Sequence, residues 1–572
     1  VVAKDLIGVF MKKRLVPACL TVALISGMTL QAFANPTNVI LDDQARRDSM
    51  TKELISEDFQ SKLDILSNSQ RVTGNQAQLL ISGQMSYPVR FKLIDNAKKS
   101  ILISTFSIYS GIENGEIKDE TTKVLVEKLI KAKNERGVDV RIIVDGGTSV
   151  LAQSTLAIQT LRDAGITVVK YNPIVSKSAD APLLGSVPFA LGKILQNMDP
   201  ISGRWHEKTM IVDGQYLISG GLNWGEIYGK ANALVSSAYS TRDFTNTPLV
   251  KELGINMVES WGETSDTAWR DTDVLIKGPV VAQATAELLK DFLLLEIMDK
   301  RLGENKYKNA TDADYAAVDT AYAQLYQGNP QYFHDWSREV LPRGNANMRY
   351  ISQRPKIDQK RIESASPIAS FAKENKLFVA DKNPHLYMTN YYVNAINKAE
   401  KQILWGCHSN RPTDKMLEAL SNAAKRGVKV VIMGNSPESA KNLPDYGMLM
   451  YPLALCHYRP LLKGGNGNIR IFEWQKSVER EGRTLTAGAF HSKVFSVDGV
   501  VTSVGSYNMS KASWGKHTEG TIVVTDPAFA KKAEEMFQID LGFSKELQMK
   551  DLDDARCAIP GAKFIGGAFD SM

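Results

Sequence analysis

Two copies of one pattern carry the residues best suited to chemistry. His206-Glu207-Lys208 runs on to Asp213 and His491-Ser492-Lys493 runs on to Asp498, so each reads H-x-K-x-x-x-x-D. The match continues at one constant offset: Gly214 with Gly499, Gly220-Gly221 with Gly505-Ser506, and Asn223 with Asn508. With seven histidines in the chain, one such pattern is expected by chance on the order of 0.03 times, and two in register far less often. Side chains two apart on a strand share a face, so each copy sets an imidazole beside an ammonium. A phosphodiester needs a nucleophile, a proton donor for the leaving oxygen and positive charge near the phosphoryl oxygens. Two copies supply all three. One His attacks phosphorus to give a phosphohistidine, while the other protonates the leaving alcohol and then activates water as a base. Lys208, Lys493, Asn223, Asn508 and Ser506 are the candidates to hold the non-bridging oxygens. This chemistry calls for no metal or other cofactor, and the sequence has no CxxC or HExxH pattern.

The elements that position these motifs also repeat. Ala97-Lys98-Lys99-Ser100-Ile101-Leu102-Ile103 is echoed by Ala399-Glu400-Lys401-Gln402-Ile403-Leu404-Trp405, and Arg136-Gly137-Val138-Asp139-Val140 by Arg426-Gly427-Val428-Lys429-Val430. Amphipathic runs at 122–134 and 415–425 predict helices, each leading into a β-branched run that predicts a buried strand. Two α/β halves of one design follow.

On these motifs the chain resembles the phospholipase D superfamily, near its bacterial phospholipase and cardiolipin synthase branch, from about Gly74 to Asp540. The resemblance implies an α/β fold of two tandem similar lobes, each a mixed sheet flanked by helices, with the active site at the pseudo-twofold interface. It implies His206, Lys208, Asp213, His491, Lys493 and Asp498 as the catalytic set, with the two aspartates as structural members of the motif. It further implies a carboxylate downstream of each motif that orients a catalytic His. Aligning Pro279 with Pro527 makes Asp271 and Glu519 the candidates. By the same resemblance His206 is the expected nucleophile and His491 the acid and then base.

The expected organisation is a signal peptide at 11–34, an N-terminal segment at 35–73, a first lobe at 74–302, a linker at 303–375 and a second lobe at 376–572. Met11-Lys12-Lys13-Arg14, an apolar run from Leu15 to Leu30 and Ala32-Phe33-Ala34 carry the signal reading, with cleavage after Ala34 and a secreted or periplasmic destination. No integral span is expected after cleavage. Asn223 to Asp271 spans 48 positions and Asn508 to Glu519 only 11, so the first lobe carries 37 extra residues, roughly 229–265, read as a loop or lid over the site. The linker's Tyr307, Tyr315, Tyr322, Tyr326, Tyr332, Phe333 and Trp336 are read as helix packing ahead of a lipid-facing surface. No spacing selects a disulfide among Cys407, Cys456 and Cys557. His334, His385, His408, His457 and His517 are expected to be structural, with His408 and His517 the two to watch because both follow strands ending near the site.

The net charge of +6 and pI near 8.8 suit an anionic substrate or membrane surface without choosing between lipid and nucleic acid. The expected function is a monomeric phospholipase D-type phosphodiesterase that hydrolyses glycerophospholipids at a membrane surface to phosphatidic acid. The alternatives are a cardiolipin synthase-like phosphatidyltransferase, using a lipid hydroxyl in place of water, and an endonuclease of the same superfamily. No basic, aromatic stripe for a nucleic-acid strand is evident, which disfavours the last.

Overall fold

The computed structural model describes residues 38–552, apart from 51, 149–151, 173–202, 256–263, 303–309, 329–331, 339–345, 356–365, 409, 441–446 and 481. The expected signal at 11–34 and Cys557 lie outside these residues. The echoed helices form at Glu120–Arg136 and Asp414–Lys425. Each is started by a side chain that satisfies a free N–H of the first turn: Asp119 accepts from Thr122 N, and Thr413 from Met416 N. Gly137, left-handed at φ 68°, ends the first helix. Leu125, Leu129 and Ala132 on one helix, and Met416, Leu420 and Ala423 on the other, are buried. The apolar spacing read from the sequence therefore does face a core.

From Val39 onward the described residues belong to one compact unit, built on a sheet of 15 strands. In chain order these are β1 (Val72–Ile81), β2 (Ser100–Thr105), β3 (Asp139–Asp145), β4 (Thr167–Tyr171), β5 (Thr209–Val212), β6 (Tyr216–Gly220), β7 (Thr272–Lys277) and β8 (Ala346–Gln353). The rest are β9 (Gln402–Cys407), β10 (Lys429–Asn435), β11 (Ile469–Trp474), β12 (Lys493–Val497), β13 (Val501–Gly505), β14 (Glu519–Thr525) and β15 (Ser544–Leu547). Antiparallel β1 and β8 meet at the centre. Outward from them one half runs β1-β7-β6-β5-β2-β3-β4, and the other runs β8-β14-β13-β12-β9-β10-β11 with β15 on its edge. In each half the last three strands of the repeat are parallel and the HxK hairpin pairs antiparallel with them, giving a mixed sheet.

This topology moves one boundary. β8 lies inside the expected linker at 303–375, so the second lobe opens near Ala346 and not at 376. The strand is hard to see in sequence because a charged residue sits at a buried position: Arg349 is 1% exposed and pairs with Asp64 at 2.8 Å. In the rest of the linker, helix Asp312–Gly328 packs on helix Val280–Leu302, and Phe333 lies against Tyr322 and Tyr326. The N-terminal segment is tied in as well. Its Phe59 and Leu63 enter the second lobe's core, and Arg46 forms a buried ion pair with Glu534 of helix Pro527–Leu541.

The extra segment at 229–265 differs from the expected lid. Its short helices Ala233–Ala238, Thr241–Thr245 and Pro248–Glu252 bury Leu234, Val235, Phe244, Leu249 and Val250 in a core to which both lobes contribute. Together with β1 and helix Pro527–Leu541 they line a half-open cleft of about 610 Å³. Each fully buried side chain of this size contributes roughly 1.5–3 kcal/mol, which is why the segment is built into the fold.

Candidate active site

The two motifs meet because each is laced to the opposite lobe. His206 N–H donates to Thr518 O at 3.0 Å and His491 N–H to Arg270 O at 2.7 Å; in return Thr518 N–H donates to Arg204 O and Arg270 N–H to Ala489 O. Trp205 forms a parallel bridge with Thr518, and Phe490 with Arg270. The residue after each bridge is a candidate carboxylate, so the pairing is crossed. Glu519 of the second lobe lies 3.0 Å from His206 Nδ1, and Asp271 of the first lobe lies 2.6 Å from His491 Nδ1. The sequence alignment left that crossing open.

The HxK segments do not lie wholly on strands as expected, since β5 begins at Thr209 and β12 at Lys493. Alternation persists all the same. Glu207 turns away to Tyr350 and Arg354, and Ser492 to Thr272. The histidines and lysines stay together: Lys493 Nζ is 2.9 Å from His491 Nδ1, and Lys208 Nζ is 2.5 Å from His206 O. All four are buried, from 2% exposed at Lys208 to 8% at His206.

Asp213 and Asp498, counted with the catalytic set as its structural members, stand outside this group, so of the six motif residues only the histidines and lysines are candidates for the chemistry. Each is the first residue of an Asp-Gly turn with both residues left-handed (φ 54° and 65°, 53° and 66°), closing the β5–β6 and β12–β13 hairpins. Their carboxylates accept backbone N–H groups, Asp213 from Lys98, Lys99 and Ser100, and Asp498 from Glu400, Lys401 and Gln402. The motif Asp thus pins its hairpin to the start of the neighbouring strand. Ser506 is a correction, because its hydroxyl donates to Glu519 and not toward a phosphate position. Ser513 Oγ donates to the same carboxylate at 2.6 Å. At the equivalent place Gly221 leaves room for Asp271, whose Oδ1 would lie 2.1 Å from a Cβ there. Asn223 and Asn508 sit beside the pairs, their Oδ1 atoms accepting from Thr105 Oγ1 at 3.4 Å and Cys407 Sγ at 3.5 Å at the ends of β2 and β9. Among the described residues Cys407 is buried and Cys456 half-buried, and no disulfide joins the two.

Several residues at the site carry no role in the sequence reading, which marks only His408 and His517 among them as histidines to watch. The His206 ring lies beside Phe106 (5.4 Å) and His517 (5.5 Å), and the His491 ring beside His408 (4.7 Å), Trp269 (5.1 Å) and Tyr228 (5.5 Å). Asp145 and Asn435, at the ends of β3 and β10, hold the backbone just before each motif: Trp205 N–H donates to Asp145 and Phe490 N–H to Asn435. The signal for the rings was present, since Trp269 and His517 each stand two residues before a candidate carboxylate.

Burial dominates the electrostatics. It pushes Lys208 down to about 7, with the Lys493 charge adding, and Lys493 down to about 8. Burial and the adjacent ammonium groups hold both motif histidines well below the ordinary imidazole range. Burial raises Asp271 to about 7 against the pull of Lys493, and raises Glu519 as well. A pH dependence follows. The carboxylate must be ionised to support an imidazolium, so kcat/KM should rise with pH as Asp271 loses its proton near 7. It should fall again as Lys208 and then Lys493 lose theirs near 7 and 8. A pH–rate profile should show a narrow bell whose acid limb is absent in Asp271→Asn; a flat profile from about pH 5 to pH 9 would contradict this. Among the described residues no group of three or more His, Cys, Asp or Glu is placed to hold a metal ion.

With this geometry in hand, the chain can be set beside known proteins. Residues 91–233 and 392–541 match the family model described as cardiolipin synthase, phospholipase D-like domain. The chain is similar to cardiolipin synthase A of Pseudomonas entomophila, with 21% identity over 84% of this chain and 72% of that protein. It is also similar to cardiolipin synthase of Clostridium perfringens, with 23% identity over 93% and 86%. In fold it resembles the crystal structure of phosphatidylserine synthase from Haemophilus influenzae, with a TM-score of 0.51 and 13% identity over 89% of this chain and 96% of that one.

Proposed function

The chain belongs to the phospholipase D-like family whose model is named for cardiolipin synthase, and from that premise we propose that it is a phosphatidyltransferase working through a phosphohistidine. The observation that carries the chemistry is the crossed pairing, in which each Nδ1 is held by a carboxylate of the other lobe; the proposal gives each Nε2 to the substrate. In the proposed cycle His206 Nε2 attacks phosphorus, the bond to the leaving alcohol breaks, and His491 gives that oxygen its proton. An acceptor hydroxyl then loses its proton to His491 and attacks the phosphorus, releasing His206. Lys208 and Lys493 stabilise the phosphoryl oxygens throughout.

Relatives named as cardiolipin synthases favour a lipid hydroxyl as acceptor over water, which reverses the preference for hydrolysis drawn from the sequence. Among the described residues no helix is long and apolar enough to cross a membrane. The test is incubation of the purified protein with phosphatidylglycerol vesicles, a wider phospholipid panel and plasmid DNA, read by mass spectrometry and gel. Cardiolipin and free glycerol are expected. Phosphatidic acid as the main product would make it a hydrolase, and nicked plasmid with unchanged lipid would make it a nuclease.

A further inference from the structure

The rings that flank the motif histidines occupy pseudo-equivalent positions, and the halves fill them differently. The own-lobe ring is Phe106 beside His206 but His408 beside His491. The ring from the opposite lobe is Trp269 beside His491 but His517 beside His206. Repetition of Phe106 and Trp269 would put apolar rings at both pairs of equivalent positions, yet the second lobe places an imidazole at each; Tyr228 of the first lobe also lies 5.5 Å from His491.

His517 has a fixed tautomer. It is 6% exposed, and its Nδ1 lies 3.0 Å from the backbone N of Arg204. A backbone N–H can only donate, so Nδ1 carries the lone pair and Nε2 carries the proton. His408 is held differently, with its Nδ1 3.1 Å from Phe490 O and 3.2 Å from Asn435 Nδ2. Burial and the neighbouring His206 keep the His517 ring well below the ordinary imidazole range, which favours the neutral form. Its ring is nearly parallel to that of His206, at 28°. Among the described residues nothing accepts from Nε2–H, and the atom is not one of the fully buried polar atoms that lack a partner, so it faces solvent.

We infer that His517 contacts the substrate, its Nε2–H donating to a non-bridging oxygen of the phosphoryl group at His206. The inference rests on the phosphodiester reading of the site. It explains why an imidazole replaces the Trp269-type ring on this side only: the phosphoryl group on His206 would receive a neutral donor in addition to the two ammonium groups.

Two substitutions separate this contact from a role in positioning alone. In His517→Asn the amide oxygen falls near Nδ1 and can still accept from Arg204 N–H, but no donor reaches the Nε2 position. In His517→Gln a donor reaches that position while the Arg204 contact is lost. Binding of inorganic phosphate to the full chain, measured by calorimetry, should weaken about tenfold in His517→Asn and stay within about threefold of wild type in His517→Gln, the scale of one hydrogen bond to a charged acceptor. Wild-type affinity in His517→Asn, or the reverse order of the two variants, would overturn the inference and leave His517 as a support for Arg204. Wild-type protein that binds no phosphate would overturn it too. Phospholipid turnover is measured alongside. Phosphate binding that depends on His517 without any lipid turnover would sink the proposed function and leave the phosphate contact standing. Turnover with unchanged phosphate affinity in His517→Asn would do the opposite.

Discussion

His206→Ala is expected to form no covalent phosphohistidine and to lose turnover by on the order of 10⁴-fold or more, the scale on which removal of a nucleophile registers in covalent enzymes. Glu519 holds His206 Nδ1, and Ser506 and Ser513 fix Glu519 in turn, so the ring is oriented before substrate arrives. His491→Ala should lose about 10²–10⁴-fold, the usual contribution of a general acid and base. That variant should still be phosphorylated on His206 by bis(p-nitrophenyl) phosphate, whose leaving group departs with little protonation. Rapid quench under alkaline conditions, where phosphohistidine survives, followed by peptide mapping, separates the cases. An adduct on His491 in the wild type would exchange the two roles while keeping the two-motif mechanism. Folding should be unaffected in both variants, because the crossed backbone bonds at Thr518 and Arg270 do not involve the imidazoles.

How much of this site was legible in the sequence depends on which contacts run along the chain and which run across it. The H-x-K pairs, the echoed helices and the parallel strands are local, and their residue types and spacing place them. The role of Asp213 and Asp498 is also local, since an Asp-Gly pair between two β-branched runs marks a hairpin turn. Crossed contacts leave no such trace. Nothing in the order of residues says that Glu519 serves His206 and Asp271 serves His491, because either pairing satisfies the same alignment. Ser506 misled for a related reason. It follows the motif at the spacing of a phosphate ligand, but folding turns it onto Glu519. β8 was hidden by Arg349, whose charge makes the strand read as linker until Asp64 is found beside it. The segment at 229–265 was read as a lid from its polar composition, while Phe244, Leu249 and Val250 tie it into the core.

The second large effect concerns the lysines. Lys208→Ala or Lys493→Ala should each lower kcat by about 10²–10³-fold, as loss of one preorganised donor to a developing charge does elsewhere, with a smaller change in KM. The two should also be coupled through the pH profile. The Lys493 charge helps to push Lys208 down to about 7, so removing Lys493 should raise the Lys208 value and move the alkaline limb of kcat/KM to higher pH. A metal-like role for the site as a whole would show no such shift. Stability should respond in the opposite sense to activity. An ammonium whose value falls from 10.5 to about 7 on folding binds fewer protons in the folded state. Its burial therefore opposes folding at neutral pH, and that cost is relieved as pH rises from about 7 toward the unfolded value. Lys208→Met, which keeps the volume and removes the charge, is expected to melt no lower than wild type at neutral pH while losing turnover as the alanine variant does. Thermal melting and turnover measured on the same preparation check this. A variant with both a lowered melting temperature and wild-type kcat would assign Lys208 to the fold and remove it from the chemistry.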